Sequence, residues 1–485
     1  MILLQIRKGN YARKLRLQMR ITKTDIQTNK KIAPNISSLS VGTMIGWLSP
    51  SIPQLQSDNP PVGKEPMTDE AASWLTGITC ITAAFVSLMV GTLAERYGRK
   101  VTGCLMGIPL CATWLCTIFA TEHWHLFVAR FFSGMSAGMA LFLIPLYVSE
   151  IAGDEIRGML GSLLVFIVNG GILWGYVFGA VLPYRVFTIS LLVWPLLYIA
   201  FFFFVPESPV YLVRHNRLDD AARSLSWLRG GDKLTTEREM ARMQIEVKEQ
   251  SASQKSIGLS DLFRDRATTK GLSITLGLFG GQHFSGIFAV LSYTETIFRM
   301  AGSAISPNTS AIIVGLIQVC GSCLSTVSME RVGRRPLLLT SAMGMGACHF
   351  VLGTFCYLQA LQYDVSSFSW ISVVALSVFM ISYGLGLGPG PYVICSDILS
   401  RDVSSLVSRL GLFFAWSMAF VVGKLFPNFV VLLGMHGSFF LLGSFCVITF
   451  IFIFVILPET KGLPRQLILD RLNGIPDSVN KNQYV

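Results

Sequence analysis

An all-α integral membrane protein, with twelve spanning helices in two homologous six-helix bundles, is the fold class this chain predicts. Three observations predict it. Hydrophobic residues fill 52% of the 485 positions and charged residues only 14%, where a soluble domain carries about a quarter charged. The apolar residues are gathered into runs of roughly 20 or more, the length that crosses a bilayer as a helix. Between two such runs lies the hexapeptide Glu95-Arg96-Tyr97-Gly98-Arg99-Lys100, which returns 235 residues later as Glu330-Arg331-Val332-Gly333-Arg334-Arg335.

Two further signatures repeat in the same order. Glu150…Arg157-Gly158 has a counterpart at Asp397…Ser404-Ser405, and Pro206-Glu207-Ser208 at Pro458-Glu459-Thr460. Self-similarity over so long a period means two homologous halves, and two apolar half-domains with a site between them is an architecture of membrane carriers.

By the length rule, spans fall near 32–52, 73–94, 101–120, 125–148, 159–182 and 186–205, then 271–297, 307–328, 336–360, 368–396, 404–432 and 434–457. The first is the weakest, because Asn35, Ser37, Ser38 and Ser40 dilute its start. The expected domains are a basic tail (1–31), an N-terminal bundle (32–209), a linker (210–270), a C-terminal bundle (271–461) and a tail (462–485). In the linker, Leu218–Arg229 carries apolar residues at helical spacing and Glu237–Glu249 is dense in both charge signs, so short amphipathic helices are expected under the bundle.

Odd-numbered loops hold Lys64, Arg185 and Arg299, whereas even-numbered loops and both termini hold nearly all other basic residues. The positive-inside rule then places both termini and the linker in the cytoplasm. The net charge of +11 lies in these loops and does not point to nucleic acid. All ten cysteines fall in apolar runs, and Cys320-x-x-Cys323 has no second ligand pair nearby, so buried, inert thiols are expected. The histidines show no metal-ligand spacing. No cofactor is implied, and no nucleophile–base pair or phosphate loop suggests an enzyme.

In the repeated turn, glycine permits a tight reversal and the arginines present forked donors to carboxylates. Glu150, Arg157, Glu207, Asp397 and Glu459 lie at the same ends of their spans, and the carboxylates among them are the expected partners of Arg96, Arg99, Arg331, Arg334 and Arg335, with Glu95 and Glu330 beside them. Such pairs, formed in one state and broken in another, bias a two-state equilibrium. Arg130 in span 4 and Lys424 in span 11 are intramembrane charges, functional by default. Span 1 offers Arg130 no acid; Met44 stands opposite. In span 7, Gln282, Ser285, Gly286, Ala289 and Tyr293 are expected on one helical face, bordering a polar cavity with His283. Gly384-Leu385-Gly386-Leu387-Gly388-Pro389-Gly390-Pro391 in span 10 cannot sustain a regular helix, and broken backbone at membrane depth marks a gate or cavity. Asn308-Thr309-Ser310 is a glycosylation sequon in a loop.

With these residues assembled, the chain resembles the sugar-porter family of the major facilitator superfamily over nearly its whole length. The resemblance is carried by Gly91–Lys100, Pro145–Glu150, Arg157-Gly158, Pro206–Pro209, Gln282…Ser285-Gly286, Glu330–Arg335, Pro389…Pro391 and Pro458–Gly462. Gly46–Pro50, Asp69–Trp74, Asn169 and Gln318 are similar to the insect facilitated trehalose transporters and the related glucose-facilitator branch.

It implies a central site for a hexose or a disaccharide such as trehalose, movement by alternating access, a plasma-membrane location and a working monomer in the lipid bilayer. It maps sugar contacts onto Gln282, His283 (where glutamine is usual), Gln318, Tyr392 (where tryptophan is usual) and Trp416. Phe288, Val165 and Ala415 replace polar residues of the family, and Ser404-Ser405 replaces an Arg-Gly. It implies facilitative uniport, because family symporters carry an aspartate where Met44 stands. Proton-coupled symport and a non-transporting sugar sensor are the alternatives.

Overall fold

The computed structural model describes residues 35–151, 157–253, 262–263, 265–302, 305–399, 401–461, 463 and 465–474. These residues form α-helices joined by turns and loops, the longest described loop running over residues 56–68. In the first half, span 1 is a pair, α1 (Ile36–Gly46) and α2 (Leu48–Leu55), followed by α3 (Asp69–Tyr97), α4 (Arg99–Ile118), α5 (His123–Ile151), α6 (Arg157–Val181) and α7 (Tyr184–Phe202). The linker holds α8 (Pro209–Arg214), α9 (Leu218–Leu228) and α10 (Lys233–Ser253). The second half comprises α11 (Arg266–Phe284) with α12 (Ile287–Met300), α13 (Pro307–Arg331), α14 (Arg334–Ala360), α15 (Trp370–Leu385) with α16 (Gly390–Ile398), and α17 (Arg401–Ile456); α18 (Arg465–Asn473) follows.

Among the described residues ten helical stretches are long and apolar enough to cross a membrane. One, Leu406–Ile456, is twice too long for a single crossing and bends at Gly434 (φ 71°, ψ 170°), so it supplies spans 11 and 12. The α1–α2 pair adds the first span: its 20 residues rise about 30 Å at 1.5 Å each, enough to cross the hydrocarbon core. Twelve spans result.

The polar start of span 1 has a packing reason. Ser37, Ser38 and Ser40 are buried where α1 meets α6. A Cβ on Gly42 or Gly46 would strike the α6 backbone at Val168 and Ile172, and one on Gly171 or Gly175 would strike α1 at Leu39 and Gly46. Small residues let the two backbones close, as they do in membranes where packing replaces the hydrophobic drive. Local capping sets other helix starts: Thr68 accepts from Ala71 N before Asp69 and Glu70, Asp265 accepts from Thr268 N, and Ser306 accepts from Thr309 N ahead of Pro307.

The linker helices bury their own small core, Tyr211, Leu212, Val213, Ala221, Leu225 and Met240. They dock beneath the first half, with Arg229 Nη1 donating to Ile151 O (3.1 Å) and Ser224 Oγ to Glu207 O (2.6 Å). This side of the bundle is called the linker face, and the opposite side the far face. The two halves meet where α3 packs on α17 and α6 on α13.

Two expectations change, for span 7 and for two of the cysteines, and the break expected in span 10 is present. Span 7 is not one regular helix: it breaks at Gly286 (φ 81°) and again at Tyr293 (φ −116°, ψ 20°). The polar stripe therefore does not share a single face, because a left-handed glycine redirects the chain. Span 10 breaks where its glycines and prolines fall, between Leu385 and Gly390. All ten cysteines are free, but Cys320 and Cys323 are exposed rather than buried; i,i+3 spacing puts both on one face of α13, away from its packed sides.

Candidate functional site

On the linker face the repeated motif builds the same device twice, with unequal strength. Gly98 (φ 91°) and Gly333 (φ 112°) end their helices in a conformation that suits glycine. A Cβ at either position would also run into a carboxylate, Glu207 at one and Glu459 at the other. Each carboxylate caps the following helix. Glu207 accepts from Arg99 N (2.9 Å) and Lys100 N (3.1 Å), and Glu459 from Arg334 N and Arg335 N (both 3.1 Å). Negative charge at a helix N-terminus meets both the orphan N–H groups and the helix dipole. The expected pairing of these two glutamates with arginine side chains is thus replaced by backbone capping. Burial pushes the Glu459 carboxyl up, but N–H groups of Lys461, Arg334, Arg335 and Thr460 outweigh it and hold the carboxyl below its ordinary value. A depressed pKa stabilises the fold above the unfolded value and is lost as pH falls through the folded one.

Among the described residues, the arginine–carboxylate pairs that join the motif to the neighbouring spans are Arg99 with Glu150 and Arg334 with Asp397. Arg99 Nη2 and Nε hold Glu150 at 2.8 and 3.0 Å, with side chains only 1% and 8% exposed. Arg99 also binds Glu95 (2.8 Å) and lies 5.1 Å from the Tyr211 ring centre on α8, while Arg214 reaches Glu95 at 3.4 Å. In the second half Arg334 Nε stands 3.5 Å from Asp397 with side chains 24% and 27% exposed. Arg335 turns aside to donate to Phe454 O (2.6 Å), and Arg96 lies over its neighbour Tyr97. Side chains of Arg157, Glu330 and Arg331 lie outside the described residues.

Midway through the bundle, Gln282 at the end of α11 donates from Nε2 to Tyr383 Oη (3.1 Å) and to Gly388 O (3.0 Å) in the span 10 break. Gln318 on α13 donates to Asn169 Oδ1 on α6 (3.0 Å), crossing between halves. Both glutamines are 2% exposed, and the Oε1 of each, with Nδ1 of His283, is buried without a protein partner. Buried amide oxygens left open at mid-membrane are acceptors waiting for a donor. Trp416 packs edge-on to Phe288 (6.3 Å, 82°), so phenylalanine fills the space beside it. Tyr392 packs edge-on to Phe279 (5.1 Å, 81°) and stays 40% exposed, outside the amide group. Among the described residues no cluster of three His, Cys, Asp or Glu could hold a metal.

Towards the far face the halves are bonded shut. Tyr176 Oη on α6 donates to Leu291 O (2.8 Å), Lys424 Nζ on α17 to Ser73 Oγ on α3 (2.8 Å), and Glu295 N on α12 to Ser49 Oγ on α2 (3.0 Å). Thr76 reaches Tyr293 Oη at 3.4 Å, and the Lys424 ammonium lies 4.8 Å from the Trp74 ring centre. With its amide nitrogen turned toward it, Asn308 donates to the Glu295 carboxylate at 2.6 and 3.2 Å. The sequon asparagine is thereby engaged in the protein rather than free. Arg130 donates from Nη1 to Met44 O (3.0 Å) and stacks on Trp47, 4.6 Å to the ring centre.

Sequence reasoning missed Tyr176, Tyr383 and His349. His349, fully buried on α14, sets Nε2 2.8 Å from Ser285 O. That carbonyl sits at the break in span 7, just before left-handed Gly286. Ser341 does the same for span 10, accepting from Leu387 N (3.0 Å). One helix therefore reaches a backbone group at each break, and Gln282 meets a second in span 10, as broken backbone at membrane depth requires. His349→Leu is expected to cost about 1–3 kcal/mol by orphaning that carbonyl, read as a lowered melting temperature in detergent. His349→Gln, which keeps an N–H donor, should recover part of the loss.

A family model described as "Sugar (and other) transporter" matches residues 30–469. The chain belongs to the sugar (and other) transporter family. Relatives in this family include the facilitated trehalose transporter Tret1 of Apis mellifera ligustica, 32% identical over 91% of this chain and 87% of its own length. Tret1 of Anopheles gambiae is 32% identical over 91% of this chain. The chain spans about half the length of that relative, 55%. Among solved structures, the proton:xylose symporter XylE bound to 6-bromo-6-deoxy-D-glucose superposes with a TM-score of 0.73 at 19% identity, covering 93% of this chain and 99% of that one. The inward-open form of XylE from E. coli gives 0.73 at 20% identity, covering 92% and 99%. These establish the major facilitator fold.

Proposed function

We propose that this chain is a facilitative transmembrane sugar carrier that works by alternating access on a hexose or a disaccharide such as trehalose. The observation that carries the reading is the set of open acceptors at mid-membrane, the Oε1 atoms of Gln282 and Gln318, within a family of sugar transporters. Sugar hydroxyls supply the donors that these buried oxygens lack. The linker face is cytoplasmic, as the basic loops require, and the bonded far face is external, in the plasma membrane. The carrier works as a monomer, since each chain holds both halves of the site.

Uniport follows from Arg130. Its partner in span 1 is a backbone carbonyl, which cannot titrate, so proton coupling through that pair has no carrier. A second reading, proton-coupled symport, rests on Glu295, an intramembrane carboxylate at the closed face. Uptake of a panel of labelled sugars into vesicles, with and without a pH gradient, tests both. Uniport predicts equilibration to equal concentrations and no effect of collapsing the gradient; accumulation abolished by a protonophore and by Glu295→Gln establishes the second. Gln282→Ala and Gln318→Ala are each expected to raise the half-saturation concentration roughly fivefold, about 1 kcal/mol of lost hydrogen bonding. Unchanged values in both would place the sugar elsewhere.

A further inference from the structure

The setting of Arg130 differs from that of every other buried charge described above. Its side chain is 3% exposed on α5, and guanidinium does not lose its proton in proteins. No carboxylate pairs with it among the described residues. Nη1 is bonded to Met44 O, but Nε and Nη2 are buried with no partner. Two more donors beside it are equally orphaned: Nε1 of Trp47, at the joint of α1 and α2, and the hydroxyl of Tyr184, at the start of α7. Trp47 and Tyr184 are 2% and 8% exposed. Their rings stand 6.2 Å apart, and the guanidinium lies 4.6 Å from the Trp47 ring centre. Three spans thus bring four unmet donor atoms around one uncompensated positive charge.

Unpartnered donors in a protein interior call for an acceptor, and a buried charge calls for its opposite. Stacking on Trp47 supplies part of the second need and none of the first. Water would satisfy hydrogen bonds while leaving the charge in place. A small anion answers both needs. A single guanidinium sets its charge at one. Guanidinium and indole N–H groups donate and never accept, which suits a halide better than an oxyanion carrying a proton.

We infer that Arg130, Trp47 and Tyr184 form a binding site for a monovalent inorganic anion, chloride, which acts as the counter-ion that span 1 does not provide. The ligand binds the folded chain alone, so it raises stability with its concentration. The inference is independent of which sugar the chain carries.

The test uses the full-length protein purified in detergent, with no sugar present, and thermal unfolding followed as chloride replaces gluconate at constant ionic strength. A saturable rise of several degrees with a midpoint in the millimolar range is expected, reproduced by bromide and not by sulfate. Tyr184→Phe removes one donor and keeps the ring, and should move the midpoint severalfold higher. Met44→Asp sets a carboxylate on the residue whose carbonyl already meets the guanidinium, and should abolish the rise. If Met44→Asp does not fold, the wild-type titration and Tyr184→Phe decide the matter. A wild-type melting temperature indifferent to chloride overturns the inference. So does a rise whose midpoint is unmoved by Tyr184→Phe.

Discussion

Arg99→Ala is expected to cost about 3–5 kcal/mol and to leave little folded protein, because it strands a carboxylate in the interior. Glu150 is 8% exposed and takes both Nε and Nη2 of Arg99. Removal of the Arg99 side chain also detaches Glu95 and the Tyr211 ring, so α8 of the linker loses one of its contacts with the bundle. Arg99→Lys should fall between, since a point charge cannot reproduce a fork. Arg334→Ala, at the repeat-equivalent position, is expected to cost about 1 kcal/mol or less: its 3.5 Å pair is a quarter exposed and resembles a surface bridge. Monodisperse yield and melting temperature in detergent would measure both. Equal losses from the two arginines would show that the repeats are energetically alike, against their geometry. The contrast is informative because the sequence pattern at both sites is nearly identical, while burial, contact distance and the number of partners separate them.

How far the sequence discloses this depends on the range of the interaction. The two-half architecture is legible because it is written in local signals: apolar runs of spanning length, the duplicated turn around Gly98 and Gly333, and the broken span at Gly386–Gly390. Arg130 without an acid is legible for the same reason, since span 1 contains no acidic residue. The bent span at Gly286 is less so; a glycine in an apolar helix reads equally well as a packing position. Partners are the least legible. Glu207 and Glu459 bind backbone amides more than 100 residues away, and nothing in a side-chain pattern announces a backbone acceptor or donor. Tyr176 bonding to Leu291 O and His349 to Ser285 O belong to the same class. Phe288 beside Trp416 is a partial case: the substitution is visible in the chain, while its consequence, a filled space, appears only on packing.

Loss of the bonds that close the far face is expected to release the opposite conformation. Tyr176→Phe deletes one hydroxyl and keeps the ring, removing a 2.8 Å bond to Leu291 O and a 3.1 Å contact to Thr294. Lys424→Met keeps a chain of similar length and removes the ammonium that meets Ser73 Oγ at 2.8 Å and the Trp74 ring. Each loss of about 1 kcal/mol shifts a two-state equilibrium roughly fivefold, and the double variant roughly thirtyfold if the sites act independently. Only the closed state loses these contacts, so the shift has one direction. The readout is the labelling rate of Ser292→Cys, a fully buried position on α12, in a background with the ten native cysteines replaced. Labelling by a membrane-impermeant thiol reagent should rise in the same ratios. The hydroxyl of Tyr176 joins α6 to α12 and the ammonium of Lys424 joins α17 to α3, with different partners, which is why their effects should multiply. A rate unchanged in both single variants would mean that packing of α3 on α17 and of α6 on α13 holds the face shut, and that these polar bonds only follow it.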